Sequence, residues 1–516
     1  MSARALMILG TASHVGKSIL TAALCRILAD EGYRVAPFKA QNMSLNSAAT
    51  PDGCEIGRAQ ALQAEAGRIP PSAAMNPVLI KPSSDRAAQV VVMGRVWDQI
   101  SAADYHQRRV EELFPIVVDA YRGLAAAYDV ILLEGAGSPA EINLKEHDIV
   151  NMRMARAAGA ACLLVADIDR GGVFASLLGT VELLDPAERA LLRGFVINKF
   201  RGDLGLLRPG VEAIARRIRL PSAGVVPFLP DLGLDEEDSV ALEDRPTPRR
   251  AWDGAGNSAG RPLRIGVIAF PYLANFTDFD ALAAEPSVSL VYLDEPSDVR
   301  RADLLILPGS KQTLDDLAWL RRSGFEPEIR NFAGRAGVLG ICGGMQMLGG
   351  SIDDPGGAES SGAGRFACGL GLLPIRTVLQ AEKVTRVARG RVLSTTLFGE
   401  PLAAPAFRGY EIHLGETAYQ DGAQPFAEIQ RAGESAVRLD GAVSRGVLGT
   451  YMHGLFQEDA FRHSFLAAAR TACGLAAMDR PAFVAADRDR RISRLADHVR
   501  RALDMDLIWN CLEIPR

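Results

Sequence analysis

The sequence predicts an α/β protein made of two open, doubly wound domains. Three observations predict it. Its apolar runs are short and continuous rather than alternating, as in strands buried on both faces of a parallel sheet. Amphipathic stretches of helical period separate them, which gives βαβ order. A polar stretch rich in Pro and Gly interrupts the series near residue 244, and a new series begins after it. A length of 516 residues also exceeds what one hydrophobic core usually supports.

The first strand is Ala5-Leu6-Met7-Ile8-Leu9, followed at once by Gly10-Thr11-Ala12-Ser13-His14-Val15-Gly16-Lys17-Ser18. The next helix places Leu20, Ala23, Leu24, Ile27 and Leu28 on one stripe, and Gly32 is its cap. Val130–Leu133, Ala161–Ala166 and Gly194–Ile197 are further buried strands. These elements make a domain of residues 1–243, and 244–262 read as a linker with little to bury. Leu263–Ile268, Leu290–Leu293, Leu304–Leu307 and Val338–Ile341 open the second domain, 263–460. Residues 353–365 read as a surface loop. Residues 461–516, rich in Ala and Arg, are expected to be helical and to pack on the second domain.

Composition bounds the function. A net charge of −5 with scattered Lys and Arg gives no nucleic-acid footprint. Seven irregularly spaced cysteines without a CxxC pair suit free thiols in a reducing compartment. The first apolar run is too short for a signal-peptide core, and none approaches the roughly 20 residues that span a bilayer. The expectation is a cytoplasmic protein without a membrane or nucleic-acid partner, its homo-oligomeric state left open.

Strand, glycine loop and helix together form a phosphate cradle: backbone N–H groups face phosphate oxygens, the Lys adds a point charge and the next hydroxyl binds Mg²⁺. The expected nucleotide contacts are Thr11, Gly16, Lys17 and Ser18, with Ser18 on Mg²⁺. Five residues separate Gly10 from Gly16, where the common pattern has four. Glu134 ends a neighbouring strand at the edge where open α/β sheets bind ligands, and is the second candidate for Mg²⁺. Asp167 and Asp169 end another strand on that edge. Asn198 and Lys199 are candidates to read the base.

The second site is Gly340-Ile341-Cys342-Gly343-Gly344. A Cys flanked by glycines between strand and helix has the form of a nucleophile elbow. Backbone N–H groups of Gly343 and Gly309 are the candidate oxyanion hole. The candidate base is His453, at the end of the apolar run Val447–Met452, with His413 as second choice.

Gly340–Gln346 with Tyr451-Met452-His453-Gly454 resembles the triad-type glutamine amidotransferases. That resemblance implies that Cys342 attacks the glutamine amide, His453 activates it and ammonia is released. Most members carry Glu two residues after the His; here it is Leu455. This departure resembles the cobyrinic/cobyric acid amidotransferase family. The N-terminal half resembles dethiobiotin synthetase in its loop spacing and in Glu134-Gly135-Ala136-Gly137. Within the family, Lys39–Ser47, Met75–Pro82 and Asp169–Phe174 resemble the branch of cobalamin biosynthesis that amidates the b, d, e and g carboxylates of adenosylcobyrinic acid a,c-diamide. The implied activity is that of a carbon–nitrogen ligase using ATP, Mg²⁺, L-glutamine and a corrinoid, through acyl phosphates. Implied substrate contacts are Lys39, Gln41, Asn42, Lys81, Arg86 and Asp169. The rival readings are amidation of the a and c carboxylates of cobyrinic acid, a regulatory P-loop ATPase with a non-catalytic amidase-like domain, and a corrinoid carrier.

Overall fold

Arg4–Gly10 (β1) is apolar because it lies inside a six-stranded sheet with neighbours on both sides. With Val35–Phe38 (β2), Val130–Glu134 (β3), Ala161–Asp167 (β4), Leu192–Phe200 (β5) and Ser222–Pro227 (β6) it forms the order β6-β5-β4-β1-β3-β2. All the pairings are parallel. Residues 3–82, 87–101, 110–230, 232–234, 251–252, 260–359, 363–403, 406–477 and 481–514 are described in this computed structural model. Most of the expected linker, 244–262, lies outside them, as does Arg86.

The chain divides into two compact units. The first is Met1–Ser44, Ile56–Glu237 and Arg488–Arg516; the second is Leu45–Glu55 and Asp238–Asp487. Two expectations about domain content are corrected by this division. The end of the chain does not pack wholly on the second domain. From Arg488 onward Ile492, Leu495, Ala496, Val499, Leu503, Ile508 and Leu512 join the core of the first unit, beside Leu24, Leu28 and Val196. The amphipathic helix Val484–Ala502 supplies Ile492, Leu495, Ala496 and Val499 at helical spacing, and the helix Met505–Leu512 supplies Ile508 and Leu512. Conversely, residues 45–55 leave the sequence of the first unit to fold in the second.

Beside its parallel sheet the first unit has a four-stranded mixed sheet, Gln41–Met43, Val78–Pro82, Ala87–Val92 and Arg95–Ser101. The second unit has Leu263–Ile268 (β7), Val288–Leu293 (β8), Leu304–Leu307 (β9), Gly337–Ile341 (β10), Ala442–Ser444 (β11) and Val447–Thr450 (β12), in the order β8-β7-β9-β10-β12-β11. Only β11, a hairpin partner of β12, runs antiparallel. A seven-stranded sheet stands next to it, built on the long antiparallel pair Ile375–Val392 and Ala406–Tyr419. Both parallel sheets therefore deliver their loops at the carboxyl ends of buried strands, the edge where such folds bind ligands. Among the described residues no helix is long and apolar enough to cross a membrane.

Candidate active sites

In the first unit β1 ends at Gly10, and the glycine loop leads into the helix Lys17–Asp30. Gly16, at φ 98°, is a left-handed cap, and a Cβ there would collide with the Asn198 amide. That amide donates to the Val15 carbonyl at 2.8 Å, and Lys199 Nζ donates to the His14 carbonyl at 2.7 Å. Both side chains thus brace the loop, and Lys199 also pairs with Asp167 at 2.8 Å. The Lys17 ammonium donates to the carbonyls of Ala12 (2.9 Å) and Gly137 (3.1 Å). Thr11 N–H donates to the Val165 carbonyl, which ties the loop's start to β4.

Glu134, at the end of β3, is the centre of this site. It is buried and receives Ser18 Oγ at 2.8 Å, Lys39 Nζ at 2.8 Å and Gln63 Nε2 at 2.5 Å. Burial alone would raise its pKa. The Lys39 charge, with the hydrogen bonds, outweighs burial and holds the carboxyl below the usual range. The convergence of Ser18 Oγ and a Glu134 carboxylate gives hard oxygen donors suited to Mg²⁺, which takes few protein ligands beside phosphates and water. The other predicted contacts are spread out. Lys39 is committed to Glu134, and Asn42 donates to Gln60 at 3.0 Å. Gln41 lies in the edge strand Gln41–Met43, half-buried. Lys81 is buried in the mixed sheet. Asp169 is exposed and pairs with Arg201 at 3.2 Å.

In the second unit Cys342 sits between β10 and the short helix Gly343–Leu348, at φ 51° and ψ −111°. An L-residue seldom adopts that backbone; here it turns a buried strand sharply enough to present the thiol. A Cβ on Gly344 would strike the Leu307 carbonyl, so this turn requires Gly there. His453 ends the strand pair Met452–His453 and is 1% exposed. Gly309 lies against both: a Cβ on it would come within 3.4 Å of His453 Cε1 and 3.9 Å of Cys342 Cβ. Gly343 lies equally close to the strand end Gly309–Ser310. Cys342, His453, Gly309 and Gly343 are thus brought together.

One partner was not foreseen. Asp278 Oδ2 lies 2.6 Å from His453 Nδ1, and Asp278 Oδ1 accepts from Gly454 N–H at 2.9 Å. Burial would lower the histidine pKa. The Asp278 charge and hydrogen bond, with a smaller contribution from Cys342, raise it to about 10. The buried His453 Nε2 makes no hydrogen bond of ordinary geometry. Tyr410 stacks on the imidazole, centroids 5.3 Å apart. Asp278 belongs to the single turn Phe276–Phe279, far in sequence from the position after the histidine, where buried Leu455 stands. The available signal was an Asp set between Phe276 and Phe279 in an apolar stretch. His413, the second-choice base, is engaged elsewhere. It contacts Glu411 at 3.2 Å and the Gly415 carbonyl at 2.8 Å, and stacks on Tyr451. The expected surface loop 353–365 also has a buried member, Glu359, which accepts from Thr313 Oγ1 at 2.7 Å beside Gly343.

The two halves define a class, a glycine-loop nucleotide-binding domain joined to a thiol amidotransferase domain. Residues 6–240 match the CobQ/CobB/MinD/ParA nucleotide binding domain. Residues 264–461 match the CobB/CobQ-like glutamine amidotransferase domain. A cobyric acid synthase of Moorella thermoacetica is 47% identical over 517 residues, covering 100% of this chain and 98% of that one. Those of Photorhabdus laumondii subsp. laumondii and Sorangium cellulosum are each 48% identical and cover 99% and 100% of this chain, 98% and 100% of theirs. The chain belongs to the cobyric acid synthase family and is a glutamine-dependent, amide-forming ligase.

Proposed function

We propose that the chain amidates the b, d, e and g carboxylates of adenosylcobyrinic acid a,c-diamide, using ATP and glutamine, through acyl phosphates. The observation that carries this reading is the line Asp278–His453–Cys342 in a chain that also sets Ser18 and Glu134 at a glycine loop. At the thiol site the Cys342 sulfur attacks the glutamine amide carbon with its proton already held by His453, as the imidazolium that Asp278 favours. The N–H groups of Gly309 and Gly343 are the proposed donors to the developing oxyanion. His453 returns the proton to the departing ammonia, and water hydrolyses the thioester to glutamate. Asp278 keeps the imidazole oriented and favours its charged form.

At the nucleotide site a substrate carboxylate oxygen attacks the γ-phosphorus and ADP leaves. Ammonia then displaces phosphate from the acyl phosphate to give the amide. A carboxylate needs this activation because its own leaving group would be oxide. Lys17 and the loop N–H groups stabilise charge on the transferred group. Ser18 and Glu134 would hold Mg²⁺, which when bound neutralises phosphate charge. For Glu134 to turn toward a cation, Lys39 must release part of its pairing; it then faces the incoming carboxylate as a counter-charge. Asn198 and Lys199 act by holding the loop, a role different from reading the base.

Carboxylate oxygen labelling tests this route. With an ¹⁸O-labelled corrinoid carboxylate, one ¹⁸O should appear in inorganic phosphate for each amide formed. Phosphate without label would rule out the acyl phosphate.

A further inference from the structure

Residues 45–55 lie within the stretch matched by the nucleotide-binding model, yet they fold in the unit matched by the amidotransferase model. Their contacts there fall on the supports of the thiol site. Asn46 Oδ1 accepts from Phe276 N–H at 3.1 Å, and Asn275 Oδ1 accepts from Ser47 N–H at 3.0 Å. Each asparagine thus satisfies the backbone donor that follows the other. Both are nearly fully buried, where an unmade bond is costly. Asn275 holds a left-handed conformation, φ 54°, and opens the single turn that carries Asp278.

Further contacts reach the other components. The Ser47 carbonyl accepts from Tyr410 Oη at 3.3 Å, and the Tyr410 ring stacks on His453. Ala49 packs on Tyr410 and Ile412. The Ile412 carbonyl faces Cys342 Sγ at 3.5 Å. Glu55 fixes the segment's far end, accepting Ser47 Oγ at 2.7 Å and pairing with half-buried Lys383 at 2.6 Å.

We propose that Asn46, with Asn275, is a positioning element of glutamine hydrolysis: the reciprocal pair sets the Asp278 turn, and through it the orientation of His453. The amidotransferase is therefore completed by residues that its own family match, 264–461, does not include. This rests on the assignment of Cys342, His453 and Asp278 as the glutaminase. Its substrate is unchanged, and the inference concerns what aligns its base. Asn46 folds in the unit of the thiol site and the glycine loop folds in the other, so the ammonia-dependent rate is the control that the proposal expects to hold.

The test uses the full chain with Asn46→Ala, Asn275→Gly and the pair combined. Gly keeps access to the left-handed backbone at 275 while removing the acceptor. Each single variant should lower glutaminase kcat roughly 10- to 100-fold, as small misplacements of a catalytic group do. The KM for glutamine and the ammonia-dependent rate should stay near the wild-type values. The alkaline limb of the glutaminase pH profile should move to lower pH, because a displaced Asp278 no longer supports the imidazolium. The double variant should be no worse than either single, since both remove one coupled contact. Asn46→Asp, which restores the acceptor, should recover most of the rate. An unmoved pH limb overturns the proposal, whether the rate is wild-type or falls in step with ammonia-dependent amidation. Cys342→Ala run alongside separates the two readings: if that variant still consumes glutamine, the thiol assignment has failed instead.

Discussion

Asp278 places beside His453 a carboxylate that the residues following the histidine do not supply. With Leu455 where relatives of the wider triad class carry Glu, His453 takes its carboxylate from a turn well upstream. The consequence is electrostatic. His453 titrates near 10 in the folded chain against about 6.5 when unfolded, so its pairing stabilises the fold fully below 6.5. That stabilisation is lost as pH rises through about 10. Asp278→Asn should therefore shift the alkaline limb of glutamine hydrolysis to lower pH and reduce kcat/KM by roughly 10²–10⁴-fold. A pH–rate profile of the two proteins measures both, and an unchanged limb would separate Asp278 from the base. Cys342 and His453 stand at strand ends and Lys17 opens the helix after the glycine loop, so each proposed site residue falls in a motif that the sequence displays. Asp278 does not, since no spacing rule links a turn at 276–279 to a strand end at 453.

At the level of elements, continuous apolar runs identified the parallel strands well. Ala161–Ala166 is β4 almost unchanged, and Leu304–Leu307 is β9. The same criterion passed over the antiparallel sheet. Ile375, Thr377 and Leu379 are buried while Arg376, Val378 and Gln380 face solvent, so the strand alternates and shows no apolar run. The helix Asp459–Ala472 packs in the second unit as expected, whereas the chain from Arg488 onward packs in the first, because an apolar stripe records that a face is buried and not against what. Leu495→Ala checks the corrected placement. Deleting a buried leucine should cost about 2–5 kcal/mol. By hydrogen exchange, the loss should appear in peptides of β1, β4 and β6, with β7 to β10 unaffected. Loosening confined to the second unit would restore the original expectation.

For the whole molecule, the two chemistries are mutually necessary. Free ammonium is a poor nucleophile at neutral pH, and a carboxylate is a poor electrophile until phosphorylated. The proposed route, which releases ammonia at a thiol and activates carboxylates at a glycine loop, meets both needs. Family membership follows from similarity along nearly the entire length, whereas the proposed substrate rests on the resemblance of segments such as Met75–Pro82 and Asp169–Phe174. The division at residue 45 was invisible in the sequence, because residues 45–55 carry no linker composition and sit inside a continuous domain pattern. The most direct measurement follows corrinoid amidation by mass spectrometry in the presence of ATP, with either glutamine or ammonium as nitrogen source. Wild-type protein should form the amides from both sources, and Cys342→Ala from ammonium alone. Amidation by Cys342→Ala from glutamine at the wild-type rate would contradict the account.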